Sequence, residues 1–176
     1  MNFITADDLK QYQRKYTDSE EQDALVKTYC EAGMEAVRGY LGYSPEAAEY
    51  TEERSGMDGL RLSLSAPVAE ILSVAADGEE LDISLFIASE NYLKYKGRNL
   101  FRSDVLYTVR YTGGFKEVPA RIRTAALQVA SLYWESAGGN LAVSSTSFAD
   151  TGSRVFNNWQ ADRFLQAIQD YRILRL

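Results

Sequence analysis

Apolar and polar positions change rhythm along this chain, and each change predicts an element. Thr5 followed by Asp8 has the spacing of a capping box, which predicts a short helix running to about Tyr16. Thr17, Asp18 and Ser19 read as a break and a new cap, with Glu20, Glu21 and Asp23 suited to the positive end of a helix dipole. Leu25, Val26, Tyr29, Cys30, Gly33, Met34, Val37, Tyr40 and Leu41 then recur at helical spacing, ended by Gly42 and Pro45. Residues 46–58 are charged and read as a linker or a sheet edge. Leu60, Leu62 and Leu64 alternate with Arg61 and Ser63, a strand pattern. Pro67-Val68 leads into a second extended stretch, Glu70–Ala76, and Asp77-Gly78 signals a hairpin. Leu81–Lys96 reads as irregular strands around a turn at Lys96-Gly97, and the path of 81–104 stays open.

The clearest rhythm lies further on. Val105, Tyr107, Val109 and Tyr111 alternate with Leu106, Thr108 and Arg110, which predicts a half-buried strand. Gly113 and Gly114 break it, Pro119 suits a first helical position, and Ile122, Ala125, Ala126, Val129, Leu132 and Tyr133 form one apolar stripe. That helix ends at Ala137-Gly138-Gly139, a Ser/Thr-rich loop occupies 140–157, and a closing helix starts near Asn158. The predicted fold is α+β but mostly α: a bundle of about four helices, with a small antiparallel sheet or hairpin inserted between the second and third. It is read as a single domain over 1–176, with N-terminal helices in 1–45, a β-rich insertion in 46–118 and C-terminal helices in 119–176.

The run Arg110-Tyr111-Thr112-Gly113-Gly114-Phe115, then Val118-Pro119, then Ile122, Ala125, Leu127, Ala130, Tyr133, Trp134 and Glu135, resembles the head–tail connector proteins of long-tailed double-stranded DNA bacteriophages. Tyr40-Leu41-Gly42, Pro67-Val68 and a terminal Phe164-Leu165…Ile168…Tyr171-Arg172 follow in the family's order. The resemblance implies a structural subunit, without catalysis or cofactor, that forms a ring (a dodecamer in the virion) below the portal. That ring extends the DNA channel and joins the filled head to the tail. Implied partners are the portal protein, a tail or head-closure protein, copies of the chain itself, and passing duplex DNA without sequence-specific contacts. Implied location is the virion neck, after assembly in the host cytoplasm.

Composition narrows the chemistry. The chain has 176 residues, 45% of them hydrophobic, enough for a substantial core. No apolar run approaches the ~20 residues of a membrane helix, and the N-terminus lacks a signal-peptide layout. A single cysteine excludes an internal disulfide, and the absence of histidine excludes Ser–His–Asp and Cys–His catalysis. A carboxylate-dependent enzyme and a monomeric binding or assembly module are the competing classes. The carboxylate pairs Asp7/Asp8, Glu20/Glu21 and Glu52/Glu53 read as caps or solvated faces before metal ligands, and Cys30 as a small core residue. The glycine pair is too far from its helix for a dinucleotide fingerprint, since Phe115–Val118 intervene.

Charge is uneven. Residues 1–58 carry 13 acids and 6 bases, 59–118 carry 8 and 7, and 119–176 carry 4 and 6, giving −7, −1 and +2. No basic run suits a DNA groove. Tyr111, Gly113, Gly114, Phe115 and Pro119 are taken as a structural corner. The basic, aromatic-rich C-terminal segment supplies the candidate portal or subunit interface: Arg154, Phe156, Trp159, Arg163, Tyr171, Arg172, Leu174, Arg175 and Leu176.

Overall fold

The computed structural model describes residues 2–14, 20–137, 145–148, 152–155 and 160–173. It divides into two compact units, one from Met1–Tyr40 and Pro119–Arg172, the other from Leu41–Val118 with Ile173–Leu176.

The first unit is helical: α1 (Ala6–Gln13), α2 (Glu20–Leu41), α3 (Ala120–Ala137) and α4 (Gln160–Gln166), followed by a 3-10 turn at Gln169–Tyr171. The predicted capping box starts α1, with the Thr5 N–H donating to Asp8 Oδ2 at 2.7 Å and the Asp8 N–H to Thr5 Oγ1 at 3.2 Å. The helix stops at Gln13, short of Tyr16, and the predicted cap at Thr17–Ser19 lies outside the described residues. Along α2 the apolar stripe buries Val26, Cys30, Met34 and Val37, whereas Leu25 is exposed. On α3, Ile122, Ala125, Ala126, Val129 and Ala130 are buried too. Small residues let the two backbones approach: a Cβ at Gly33 would stand 2.6 Å from the Ala126 carbonyl oxygen. Pro119 sits one place before the helix, its carbonyl accepting from Ile122 N–H (3.0 Å) and Arg123 N–H (3.1 Å).

The second unit is a β body. Its four-stranded antiparallel sheet has the order β1 (Ala48–Ser55), β7 (Leu106–Gly113), β3 (Val68–Ala76), β4 (Glu79–Leu81). A three-stranded sheet has the order β2 (Arg61–Ser63), β6 (Tyr92–Tyr95), β5 (Phe86–Ser89). On β7 the predicted alternation holds, with Tyr107, Val109 and Tyr111 buried and Leu106 and Arg110 exposed. The buried faces of the two sheets meet around Phe101, whose ring lies 6.1 Å from Phe86, 4.8 Å from Tyr95 and 5.1 Å from Tyr107.

The expectation of a mostly helical bundle with a small β insertion is therefore overturned. The β body has a four-stranded sheet, a second sheet and an aromatic core of its own. The sequence concealed this because β1 carries charge on both faces, so no apolar alternation marks it as a strand. The turn expected at Lys96-Gly97 instead falls at Glu90-Asn91, between β5 and β6, where Glu90 has φ +47°. Asp77-Gly78 does turn β3 into β4, with both residues at positive φ. Within 140–157, read as a loop, β8 (Ser145–Phe148) and β9 (Gly152–Val155) pair antiparallel, and the rest lies outside the described residues.

Candidate assembly surface

The strand-to-helix corner is pinned from two sides. Gly114, at φ +87°, donates its N–H to the Pro67 carbonyl (2.9 Å), and Phe115 donates to the Pro45 carbonyl (2.8 Å). A Cβ at Gly114 would stand 2.4 Å from the Glu46 carbonyl oxygen, so glycine is required there by angle and by space. Gly113 has no left-handed backbone. Its constraint is packing, since a Cβ would meet the Tyr50 ring at 2.9 Å and Ala66 Cβ at 3.0 Å. Tyr50 in turn stacks on Tyr111, with centroids 5.3 Å apart.

Tyr111 anchors a polar network inside the β body. Its hydroxyl donates to Glu52 Oε1 and accepts from the Ala66 N–H at 3.2 Å. Glu52 also accepts from the Ser65 N–H at 3.1 Å, from the Ser65 hydroxyl at 3.0 Å and from Arg54 Nε at 3.0 Å. Burial opposes the Glu52 charge, but hydrogen bonds from Tyr111, Ser65 and Arg54 outweigh it and hold the carboxyl below its ordinary range. Burial first, then the bond to Glu52, pushes the Tyr111 phenol well up. Sequence reasoning placed Tyr111 in the corner, read Glu52 with Glu53 as a solvated face, and did not single out Arg54 or Ser65. The available signal was Glu52 and Arg54 two apart, opposite charges on one strand face.

The candidate C-terminal contacts divide. Phe156, Trp159, Leu174, Arg175 and Leu176 lie outside the described residues, and Arg154 is placed only as part of the β9 backbone. Arg163 and Arg172 are exposed, with the Arg172 guanidinium 5.2 Å from the Tyr40 ring centre. Tyr171 is half-buried below Arg121, 6.0 Å from its ring centre. The segment is tied to α3: Arg121 donates to the Ala167 carbonyl (2.7 Å) and meets Asp170 at 3.4 Å, while Ile168 is wholly buried. Ile168 thus serves the unit's own core, and the arginines remain at the surface.

Among the described residues no three metal-ligating side chains gather, and no helix is long and apolar enough to cross a membrane. Cys30 is buried, donating its S–H to the Thr5 carbonyl at 3.4 Å, and burial together with nearby Asp8 and Glu31 pushes its thiol up to about 11.

Comparison with known proteins gives this geometry a context. The family model described as "HCP: Head completion protein" matches residues 2–150. Among solved structures the fold is similar to a chain in the virion of a native gene transfer agent (GTA) particle, at 14% identity and TM-score 0.63, covering 98% of this chain and 91% of that one. It is similar to a chain in the neck of an empty GTA particle computed with C6 symmetry, at 16% identity and TM-score 0.62, with the same coverage. A third match, to the neck of a native GTA particle computed with C12 symmetry, has 14% identity and TM-score 0.55, covering 97% and 92%. At these identities the likeness is one of fold. No curated protein matches the chain.

Proposed function

The chain belongs to the head completion protein family, a structural component of the phage virion, and on that premise we propose that it forms a ring below the portal, continues the DNA channel and joins the filled head to the tail. The observation that carries this reading is the fold likeness over nearly the whole chain to subunits of particle necks solved with sixfold and twelvefold symmetry. The role needs surfaces rather than a reaction centre, which suits a chain whose polar network is spent on internal hydrogen bonding. It assembles in the host cytoplasm and remains in the virion.

In this reading the C-terminal segment meets the portal or an adjacent subunit through Arg163, Arg172 and the basic and aromatic residues around them. The strongly acidic first third of the chain offers a complementary surface, which favours encounter rate and register more than raw affinity. Repeated around a ring, a net charge of −6 per subunit discourages DNA from adhering as it passes.

The test is removal of the gene from its phage. DNA-filled heads and free tails should accumulate unjoined, and the protein supplied in trans should restore infectivity. Intact tailed particles without the protein would overturn the proposal. Isolation of the protein as a monomer, absent from finished particles, would favour the assembly-module reading.

A further inference from the structure

The two sheets of the β body expose faces of opposite charge. On the four-stranded sheet the register puts Glu49, Glu53, Glu70 and Glu80 on the side opposite the buried Tyr107, Val109 and Tyr111. Arg110 is the one base among them, 3.7 Å from Glu49. On the three-stranded sheet Arg61 and Lys94 are direct cross-strand partners on the exposed face, with Lys96 one pleat further along. The Arg61 guanidinium lies 4.5 Å from the Tyr92 ring centre, and Asp82 is within electrostatic reach of Lys96. Like charges directly opposed across strands are unfavourable within a single copy, so this pairing calls for an outside partner.

Each face also exposes a large apolar residue beside its charges. Leu106 is 42% exposed on the acidic face, and Ile87, the cross-strand partner of Lys94, is 45% exposed on the basic one. Apolar residues amid complementary charge are the ingredients of a protein interface. Because the buried faces of the two sheets meet at Phe101, the acidic and basic faces point away from each other.

We propose that the basic face of one copy docks on the acidic face of the next, so that the β bodies supply a subunit-to-subunit contact of their own, separate from that of the C-terminal segment. This rests on the ring reading above and adds to it the surface and its direction. The contact is heterologous. Pairing of two acidic or two basic faces is repulsive, which disfavours a two-fold dimer, and a head-to-tail contact that repeats can close into a ring. The negative charge of the acidic face is the partner chemistry that the basic face fits, and here that partner is a second copy.

Charge exchange tests it. A phage lacking the gene is complemented with wild type, Lys94→Glu, Glu53→Lys and the double variant, and infectious titre and neck incorporation are measured together with the thermal melt of each purified protein. Both substitutions lie on exposed strand positions, so neither should lower the melt, and Lys94→Glu, which sets a carboxylate opposite Arg61, should leave it equal to or slightly above wild type. Each single reversal should lower titre at least tenfold, in line with loss of a close interfacial charge pair. The double variant, with its signs exchanged, should recover most of it. Full titre in both single variants overturns the face-to-face contact while leaving the ring reading intact. A double variant no better than the worse single one also overturns it. Should wild type retain duplex DNA and Lys94→Glu release it, the basic face serves DNA and the proposal falls. Failure of wild type itself to complement would instead remove the ring reading on which the proposal stands.

Discussion

In the helical unit the interior is almost entirely apolar, with Met34, Val37, Ile122, Val129 and Ile168 each 1% exposed or less. In the β body a comparable interior is shared between rings, Phe101 with Phe86, Tyr95 and Tyr107, and a carboxylate held by Tyr111, Ser65 and Arg54. Apolar burial is non-directional and tolerates small shifts in packing. A buried hydrogen-bond network is directional, and it penalises any partner left unsatisfied. The β body is therefore the more sharply specified region, and the more sensitive to acid.

The largest expected effect falls on the β body. Gly114→Val forces a branched side chain to φ +87° and drives its Cβ into the Glu46 carbonyl. Left-handed strain of about 1–2 kcal/mol and overpacking of about 1–3 kcal/mol should together remove about 2–5 kcal/mol. Chemical denaturation measures this. Gly113→Val should cost less, because the Tyr50 ring can give way where a backbone carbonyl cannot. Equal losses at the two positions would mean that packing, and not backbone angle, governs the corner.

Next comes the helical unit. Ile122→Ala deletes most of a fully buried side chain of α3 and should cost about 3 kcal/mol. Because only apolar contacts are lost, the loss should be nearly constant from pH 7 to 4. A strongly pH-dependent loss would show that the helical interior is coupled to a titrating group, and the contrast between the regions would fail.

Glu52→Gln probes the other side of that contrast. The native Glu52 carboxyl is depressed, so its contribution is complete above the unfolded value of about 4.3 and is lost as pH falls through the lower folded value. The substitution should cost about 1–3 kcal/mol at neutral pH, since Arg54 and Tyr111 lose a charged partner. The gap to wild type should narrow in strong acid. A gap that stays constant from pH 7 to 2 would show that the carboxylate is not held by this network.

The same contrast explains what the sequence disclosed. The corner was legible because every signal agreed: period-two burial on β7, a glycine pair, a proline, then a helical stripe. Even so, the positive φ belongs to Gly114, and nothing in a Gly-Gly pair tells which member turns. The helices were legible from their stripes, with Leu25 misassigned because a position beside the buried face fits the same spacing. The extent of the β body was not legible. Strand β1 spells Ala-Glu-Tyr-Thr-Glu-Glu-Arg-Ser, and its inward Glu52 and Arg54 satisfy one another, so burial leaves no apolar trace. The opposed sheet faces depend on which strands pair, and that long-range choice is not written in any local pattern.

The smallest effect concerns Cys30, which reports on the helical unit alone. Its thiol lies within the α2 stripe, buried, and is pushed up to about 11. At pH 8 roughly one thiol in a thousand would be ionised, and the thiolate is the form that reacts. Alkylation of the native protein should therefore be far slower than that of the unfolded chain, proceeding through transient opening of the helices. Because the native value is raised, the neutral thiol's contribution is complete below the ordinary cysteine value near 8.5. It is lost as pH rises through the folded value, a limb opposite in sign to that of Glu52. Cys30→Ala removes one sulfur and its weak bond to the Thr5 carbonyl, so it should cost only about 1 kcal/mol. Its stability should fall less steeply than wild type at alkaline pH and in parallel with it in acid. Rapid native labelling, or an acid limb that changes with this substitution, would show that the helical interior is neither closed nor electrically inert, and the distinction between the two units would lose its basis.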